Sequence, residues 1–524
     1  MRFFNTAGPC VPGSHYMLPP EPRLPAARRL IDRSQFFVVH APRQTGKTTV
    51  LATLARSLTT EGRYAALRVS FETGEVAGDD YGAAEEQILF ALRQAALVAG
   101  LPDAALPPDP WPTAPAGSQL LTALSAWAQR SPRPLVLFFD EIDALRGESL
   151  RSVLRQLRDG YTSRPAPFPA SVVLCGLRDV RDYKAASGGD PGRLGTASPF
   201  NVKVASLRIG DFTASDVAEL YSQHTTETGQ EFSEAALARA FEYTAGQPWL
   251  VNALAAEVVD NLVAAPERVT AEHVDLAKER LILARATHLD SLVARLQEPR
   301  VRRVVEPLIA GELVQLDAYD DDLAYLRDLG LLAPGREARV ANPIYREVIV
   351  RVLGAAAEAN IVAEPRSFVQ ADGRLDFPRL LTEFVGFWRQ HGEVLTRDGA
   401  YHEVAPQLVI MAFLHRVING GGYIDREYGV GRGRIDLLVR WPYQAGAQRS
   451  WQREAMELKV WRAGRPDPLP AGLQQLDDYL QRLELTTGTL VIFDRRPTAG
   501  PIADRTEFST QRTPTGRAVT VLRA

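Results

Sequence analysis

Sixty residues of this chain are Lys or Arg, yet only five are lysines: Lys47, Lys184, Lys203, Lys278 and Lys459. Arginine serves almost everywhere a positive charge suffices. Lysine is a compact point charge whose pKa its surroundings can tune, so a retained lysine marks a place where a guanidinium would fail. Two of the five sit in suggestive company: Lys47 in "APRQTGKTT", residues 41–49, and Lys459 in "EAMELKVW", residues 454–461. Lys184, Lys203 and Lys278 fall in no motif, so scarcity alone decides nothing.

The first stretch follows the apolar run "FFVVH" (36–40) and precedes the helix-like "GKTTVLATLARSL". This is the setting of a phosphate-binding loop. Backbone N–H groups of Ala41, Pro42, Arg43, Gln44, Thr45 and Gly46 (Pro42 excepted) and of the helix start at Lys47, Thr48 and Thr49 would face phosphates; Lys47 would reach the β/γ oxygens and Thr48 would hold Mg²⁺. Ala41 stands where the pattern GxxxxGK(S/T) has its first glycine, which alanine can replace if its φ stays negative. A tight turn with an incidental lysine is the plainer alternative, and both flanks argue against it. "PLVLFFDEIDAL" (134–145) adds an apolar strand ending in Asp140-Glu141. Asp140 would bind magnesium through water and Glu141 would polarise the attacking water. Alone, that pair reads equally as an acidic helix cap. ATP and Mg²⁺ are thus the expected ligands.

In the second stretch Met456, Leu458 and Val460 alternate with Glu457 and Lys459, the period of a strand with one buried face. Twenty-one residues earlier, Asp436 interrupts the apolar strand "RIDLLV". If the two strands pair, Asp436, Glu457 and Lys459 converge. Two carboxylates with waters suit Mg²⁺, with Mn²⁺ as a substitute, and Lys459 would orient or deprotonate a water or neutralise charge. The plainer reading is a polar strand face open to solvent. Upstream, "YHEVAPQLVIMAFLHRVING" reads as a helix with Glu403 near its start. Downstream, "GLQQLDDYLQRL" puts Gln475 and Tyr479 four apart on one helical face.

The first set of motifs resembles the AAA+ superfamily, particularly AAA-like ATPases related to signal-transducing NTPases, over roughly residues 1–350. The resemblance implies a helical lid meeting the nucleotide at Gly246-Gln247-Pro248. It also implies a sensor region at "VVLCGLRD", where Arg178 either senses the γ-phosphate or caps a helix, and an N-terminal segment closing over adenine with His15 and Tyr16 as stacking candidates. It leaves room for a homo-oligomer through the AAA domain. The second set resembles the PD-(D/E)xK nuclease superfamily and its RecB-like members. The resemblance implies Glu403, Asp436, Glu457, Lys459, Gln475 and Tyr479 as catalytic residues, the last two as the QxxxY feature. Ile435 stands where the superfamily's name has proline.

The elements needed to position these groups are legible. Strand-like runs at 36–40, 66–71, 134–140 and 171–176 alternate with "AAEEQILFALRQAALV" and "QLLTALSAWAQR", which predicts a parallel sheet covered by helices on both faces. The expected order is an N-terminal segment to 35, an α/β P-loop core over 36–210 and a helical lid over 211–290. A winged-helix-like module over 291–352, a connector over 353–377 and an α/β restriction-endonuclease-like domain over 378–524 follow. Two cysteines, Cys10 and Cys175, cannot make a disulfide framework, and no apolar run is long enough for a membrane span, so a cytoplasmic protein is expected. Residues 401–524 carry a net charge of +4 and the remainder −7, which tolerates a nucleic acid partner, DNA by the resemblance. Two readings follow: an ATP-dependent device gating a DNA nuclease, or a nucleotide-gated scaffold whose nuclease-like domain only binds DNA or a partner.

Overall fold

The computed structural model describes residues 2–19, 21–176, 203–284, 287–309, 320–335, 337–358, 368–397, 405–418, 422–430, 433–445, 448–496 and 498–524. They form two compact units, the first Met1–His288 with Ala318–Glu337, the second Leu289–Asp317 with Ala338–Ala524.

In the first unit, helix α1 (Pro25–Asp32) leads into β1 (Phe36–His40), α2 (Lys47–Thr60) and β2 (Ala65–Ser70). There follow α3 (Tyr81–Val98), α4 (Gln119–Arg130), β3 (Leu135–Asp140), α5 (Gly147–Thr162), β4 (Ser171–Gly176) and β5 (Lys203–Arg208). The strands are parallel, in the order β2-β3-β4-β1-β5. Alternation along each strand splits the core. Phe36, Val38, Leu137 and Phe139 pack with α3, α4 and α5, while Phe37, Val39, Val136 and Phe138 pack with α1 and α2. The sequence reading missed β5, a short strand whose period-two signal is interrupted by polar residues.

The stretch expected as a lid forms four helices, α6 (Ala214–Thr228), α7 (Glu234–Thr244), α8 (Pro248–Asn261) and α9 (Ala271–Leu283). Its starts are chemically marked: Thr213 and Asp216 form a capping box on α6, and Ser233 caps α7. Gly246, at φ +78°, makes the turn between α7 and α8. A Cβ there would lie 1.8 Å from the Phe212 carbonyl oxygen. Gly246→Ala is therefore expected to destabilise this unit by at least about 2 kcal/mol, read as a lowered Tm in thermal unfolding.

Helices α10 (Thr287–Arg295) and α11 (Pro299–Ile309) come next, then α12 (Asp321–Asp328), which belongs to the first unit, and α13 (Pro343–Glu358). Helix α13 runs into the stretch expected as a connector. The rest of the second unit is α14 (Phe377–Arg397), α15 (Ala405–Ile418), β6 (Tyr423–Val430), β7 (Gly433–Ala445), β8 (Gln448–Trp461) and α16 (Leu469–Arg482). It ends with β9 (Thr489–Asp494), α17 (Ile502–Arg505), β10 (Glu507–Arg512) and β11 (Ala518–Arg523). The sheet order is β10-β11-β9-β8-β7-β6; β8, β9 and β11 are parallel and the other pairs antiparallel. Leu476, Tyr479 and Leu480 of α16, with Leu483 just after it, pack on Leu438, Ala455, Leu490 and Ile492. Asp477 fixes the helix further, accepting from Thr513 Oγ1 at 2.7 Å and Arg517 Nη1 at 2.8 Å. Among the described residues no helix is long and apolar enough to cross a membrane, and Cys10 and Cys175 are free thiols.

Candidate functional site

Two sites emerge, one in each unit. The first is the β1–α2 loop. Gln44 and Gly46 adopt positive φ, 57° and 82°, which turns the chain so that α2 starts at Lys47. Ala41 is fully buried and is not among the positive-φ residues, so alanine fits without strain. Thr45 Oγ1 donates to the Pro42 carbonyl at 2.9 Å. Lys47 Nζ donates to the carbonyls of Ala41 at 2.8 Å and Pro42 at 2.7 Å, so its ammonium is held over the loop. Burial pushes the Lys47 pKa down, partly offset by Asp140.

Asp140, 1% exposed at the end of β3, accepts from Thr48 Oγ1 at 2.9 Å and from Arg68 Nη1 at 2.8 Å, both on Oδ2. Glu141 follows in a left-handed conformation, φ 58°, and its carboxylate accepts from Ser70 Oγ on the neighbouring strand β2. Cys175, at the end of β4, is fully buried. Burial and then Asp140 push its thiol well above the ordinary value, so it stays protonated and is a weak donor.

Around this loop the structure adds contacts that the motifs did not announce. Gln247 caps α8, accepting from Leu250 N at 2.6 Å, and its Nε2 donates to Gln44 O at 3.4 Å, which ties α8 to the loop. Gly246 and Pro248 flank it, Pro248 as the first residue of α8. Arg23 Nη2 donates to Thr45 O at 2.8 Å and Gly210 O at 2.7 Å; burial lowers its pKa to about 10. His40 Nδ1 lies 3.7 Å from Asp328 Oδ1 at the end of α12.

The N-terminal segment reaches the same place. Cys10 N donates to Thr49 Oγ1 at 3.0 Å, and Trp249 Nε1 of α8 donates to Thr6 O at 2.8 Å. The stacking residues expected within it are otherwise engaged. Tyr16 is 1% exposed, packed against Phe4 with its hydroxyl 3.3 Å from His224 Nδ1, and burial pushes its pKa up to about 12. His15 packs edge-on against Phe3 at 4.6 Å, and its Nδ1 accepts from Val11 N. Tyr16 fastens the segment to α6 through His224, and His15 fastens the segment to itself.

The second site lies under α16. The β7–β8 register pairs Leu437 with Met456, so Asp436 comes opposite Glu457. Leu438 and Ala455 point into the α16 core, and residues two apart share a face, so Asp436, Glu457 and Lys459 share it too. The plainer alternative, a polar face open to solvent, does not describe Glu457, which is 0% exposed because α16 covers that face. Lys459 Nζ donates to Glu457 Oε1 at 2.7 Å and to Gln475 Oε1 at 2.9 Å. Gln475 Nε2 in turn donates to Tyr479 Oη at 3.1 Å. Asp436 Oδ2 accepts from Leu458 N at 2.8 Å. Glu457 Oε2 is buried with no hydrogen-bond partner. Burial first, and the Asp436 charge second, push the Glu457 carboxyl up to about 7, against the pull of Lys459.

Thus Asp436, Glu457, Lys459, Gln475 and Tyr479 are brought together, as are residues 41–49 with Asp140 and Glu141. Glu403 and Arg178 lie outside the described residues. Among the described residues no three His, Cys, Asp or Glu side chains cluster as a preformed metal cage. Arg68, Ser70 and Arg23 carried no local signal; each acts through a partner distant in sequence.

Several solved structures resemble the chain. A Walker-type ATPase of Pyrococcus abyssi is 13% identical, covering 66% of this chain and 99% of its own, with a TM-score of 0.45. The RuvB Holliday junction branch migration motor of Thermotoga maritima is 16% identical, covering 63% and 92%, with a TM-score of 0.34. Cdc6p from Pyrobaculum aerophilum is 15% identical, covering 61% and 88%, with a TM-score of 0.31. Comparison with curated proteins gave no match. The family model described as "AAA ATPase domain" matches residues 25–169, the stretch that holds the loop, Lys47, Thr48, Asp140 and Glu141. That part of the chain is an AAA ATPase domain.

Proposed function

We propose that the chain couples ATP binding and hydrolysis in its first unit to a Mg²⁺-dependent DNA phosphodiesterase in its second, which the nucleotide gates or positions. The observation that carries the hydrolytic half is Glu457 Oε2, a buried carboxylate oxygen with no hydrogen-bond partner beside Asp436 and Lys459. Lys459 engages only Oε1; a buried carboxylate oxygen left without a partner is costly, and a divalent cation on Oε2 would relieve it.

In the ATPase half, loop N–H groups and Lys47 bind phosphate oxygens, while Thr48 and Asp140 hold the metal that offsets charge on the β- and γ-phosphates. Glu141 orients water once it leaves Ser70. Arg68 occupies Asp140 in the meantime and holds the carboxylate in place. Gln247 and the α12 end, through His40 and Asp328, give the loop mechanical contact with the rest of the first unit. Because Arg68 is a cation competing for Asp140, Arg68→Ala is expected to raise the apparent Mg²⁺ affinity of the nucleotide-bound protein by about three- to tenfold. A Mg²⁺ titration read by a fluorescent nucleotide analogue checks this; an unmoved midpoint would mean that Arg68 does not contend with the metal.

In the second unit, Asp436 and Glu457 would hold Mg²⁺, which neutralises developing charge on the scissile phosphate and acidifies a bound water. Lys459, held by Glu457 and Gln475, would orient the attacking water and neutralise developing charge, and Gln475 with Tyr479 fixes its position. The test is a cleavage panel over linear, nicked, circular and single-stranded DNA and RNA, with and without ATP and Mg²⁺. The second reading, a nucleotide-gated scaffold, draws on the lack of a three-ligand cage among the described residues; it predicts ATP-dependent binding and no cleavage with any metal.

A further inference from the structure

Strand β10 ends the second sheet and pairs with β11 on one side only. The ladder shows which of its backbone groups face the open side. Thr520 N of β11 donates to Gly488 O at 3.0 Å, and Ala524 N donates to Ile492 O at 2.9 Å. The even-numbered residues of β11 therefore turn their N–H and C=O groups to the β9 side, and the odd-numbered ones turn theirs to β10. In register, Val519, Val521 and Arg523 meet Gln511, Ser509 and Glu507. At the hairpin end Thr513 N donates to Arg517 O at 2.9 Å, which continues the same alternation. Phe508, Thr510 and Arg512 remain, and their N–H and C=O groups point away from the sheet.

The usual protections of such an edge are missing. The stretch "EFSTQR" holds neither proline nor lysine, and its register runs from Glu507 to Arg512 without a bulge. Glu507, Phe508, Thr510 and Arg512 are exposed, Phe508 by 41%. Proteins ordinarily blunt an edge with one of these devices, because a row of free donors and acceptors invites another strand. Among the described residues β11 is the element that runs along β10. Among them, too, no hydrogen bond from beyond the sheet reaches the backbone of Phe508, Thr510 or Arg512.

The strand is also its own complement. An antiparallel copy, related by a twofold axis at Thr510, would set Phe508 against the partner's Arg512 and Thr510 against the partner's Thr510. All three outward residues then enter hydrogen-bonded pairs, two bonds to each pair. Their side chains share one face, so two Phe–Arg contacts flank a Thr–Thr contact, and both kinds are favourable across strands. Arg512 is already braced, its Nη1 donating to Gly516 O at 2.9 Å, so ordering it on association costs less. With Glu507 at one end and Arg512 at the other, the antiparallel copy brings unlike ends together, and a parallel copy would bring like ends together. We infer that two copies of this chain join through β10, making their six-stranded sheets one continuous sheet. The inference needs neither the ATPase nor the hydrolytic reading.

Six residues a side make a small interface against the standard of about 1,600 Å², so the dimer is expected to form on the order of tens of micromolar. Sedimentation equilibrium of the full chain without nucleotide, from about 1 to about 200 µM, should show monomer and dimer. Thr510→Pro removes an N–H that the sheet does not use, so the Tm should hold within about 3 °C while dimerisation weakens at least about fiftyfold. Ser509→Pro, one residue away, removes an N–H bonded to β11 and should lower the Tm; equal Tm losses in the two variants would overturn the assignment of the open side. Thr510→Lys and Thr510→Glu keep the N–H. Each alone opposes like charges across the axis and should weaken dimerisation by about five- to tenfold. An equimolar mixture of the two should recover it, which supports the twofold register. A wild type that stays monomeric throughout, dimerisation that no Thr510 variant weakens, or a mixture that recovers nothing would overturn the inference.

Discussion

Lys47→Ala is expected to lower ATP turnover by about two to three orders of magnitude, measured as phosphate release. The size follows from the geometry. The Lys47 ammonium already spans the loop, 2.8 Å from one carbonyl and 2.7 Å from the next, where arriving phosphates would compete for it. Its pKa is depressed by burial, so a phosphate partner strengthens the charged form where solvent cannot. Alanine is a good residue at the first position of α2, so the helix should persist and the loss should be chemical. Turnover that survives the substitution would remove the loop from the chemistry. The same variant tests coupling. If DNA cleavage proceeds at the wild-type rate and with the same substrate choice, the nucleotide does not gate the second unit.

The chemistry was legible in the sequence where it is local or periodic. Lys47, Thr48 and the loop are contiguous, so spacing alone places them. Asp140 was legible because a run of buried apolar residues can end in two acids only at a strand terminus. Lys459 with Glu457, and Gln475 with Tyr479, follow from periods of two and of nearly four. What one element places on another was not legible. Ser70 reaches Glu141 and Arg68 reaches Asp140 only because β2 lies beside β3, and strand order is not written in either segment. Alternation showed which residues share the face of Glu457 but not that α16 seals it, since that needs the packing of Leu476 and Leu480 on Ala455 and Leu490. Tyr16 misled for a related reason: an aromatic near a nucleotide loop suits a base, but it equally suits the buried cluster with Phe4 and His224 that the fold gives it. Helix α13 ran past its expected end because "LGAAAEA" is a strong helix-forming stretch despite its glycine.

Lys459→Ala is expected to reduce Mg²⁺-dependent DNA cleavage by about two to four orders of magnitude, as the loss of a group that positions or deprotonates the nucleophile. It also leaves the buried Glu457 without its partner, so it should destabilise the unit, and folding must be checked alongside. Lys459→Arg separates the two effects: it keeps a cation against Glu457 but cannot surrender a proton, so stability should recover and activity should not. Asp436→Asn removes a metal ligand at little cost in volume and should abolish cleavage with folding intact; cleavage unchanged in both Asp436→Asn and Lys459→Ala would sink the assignment. Metal and pH give a readout independent of cleavage. The Glu457 carboxyl, ordinarily near 4.5, is pushed up to about 7 in the metal-free fold. A folded pKa above the unfolded one means that the folded state binds the proton more tightly. The resulting stability is fully present below about pH 4.5 and is lost as pH rises through about 7. Mg²⁺ needs the ionised carboxylate, so it replaces that lost stability only where the proton has left. The rise in Tm on adding Mg²⁺ without nucleotide should therefore be larger at pH 8 than at pH 6, and absent in Asp436→Asn. An equal rise at both pH values would place the metal elsewhere than on Glu457.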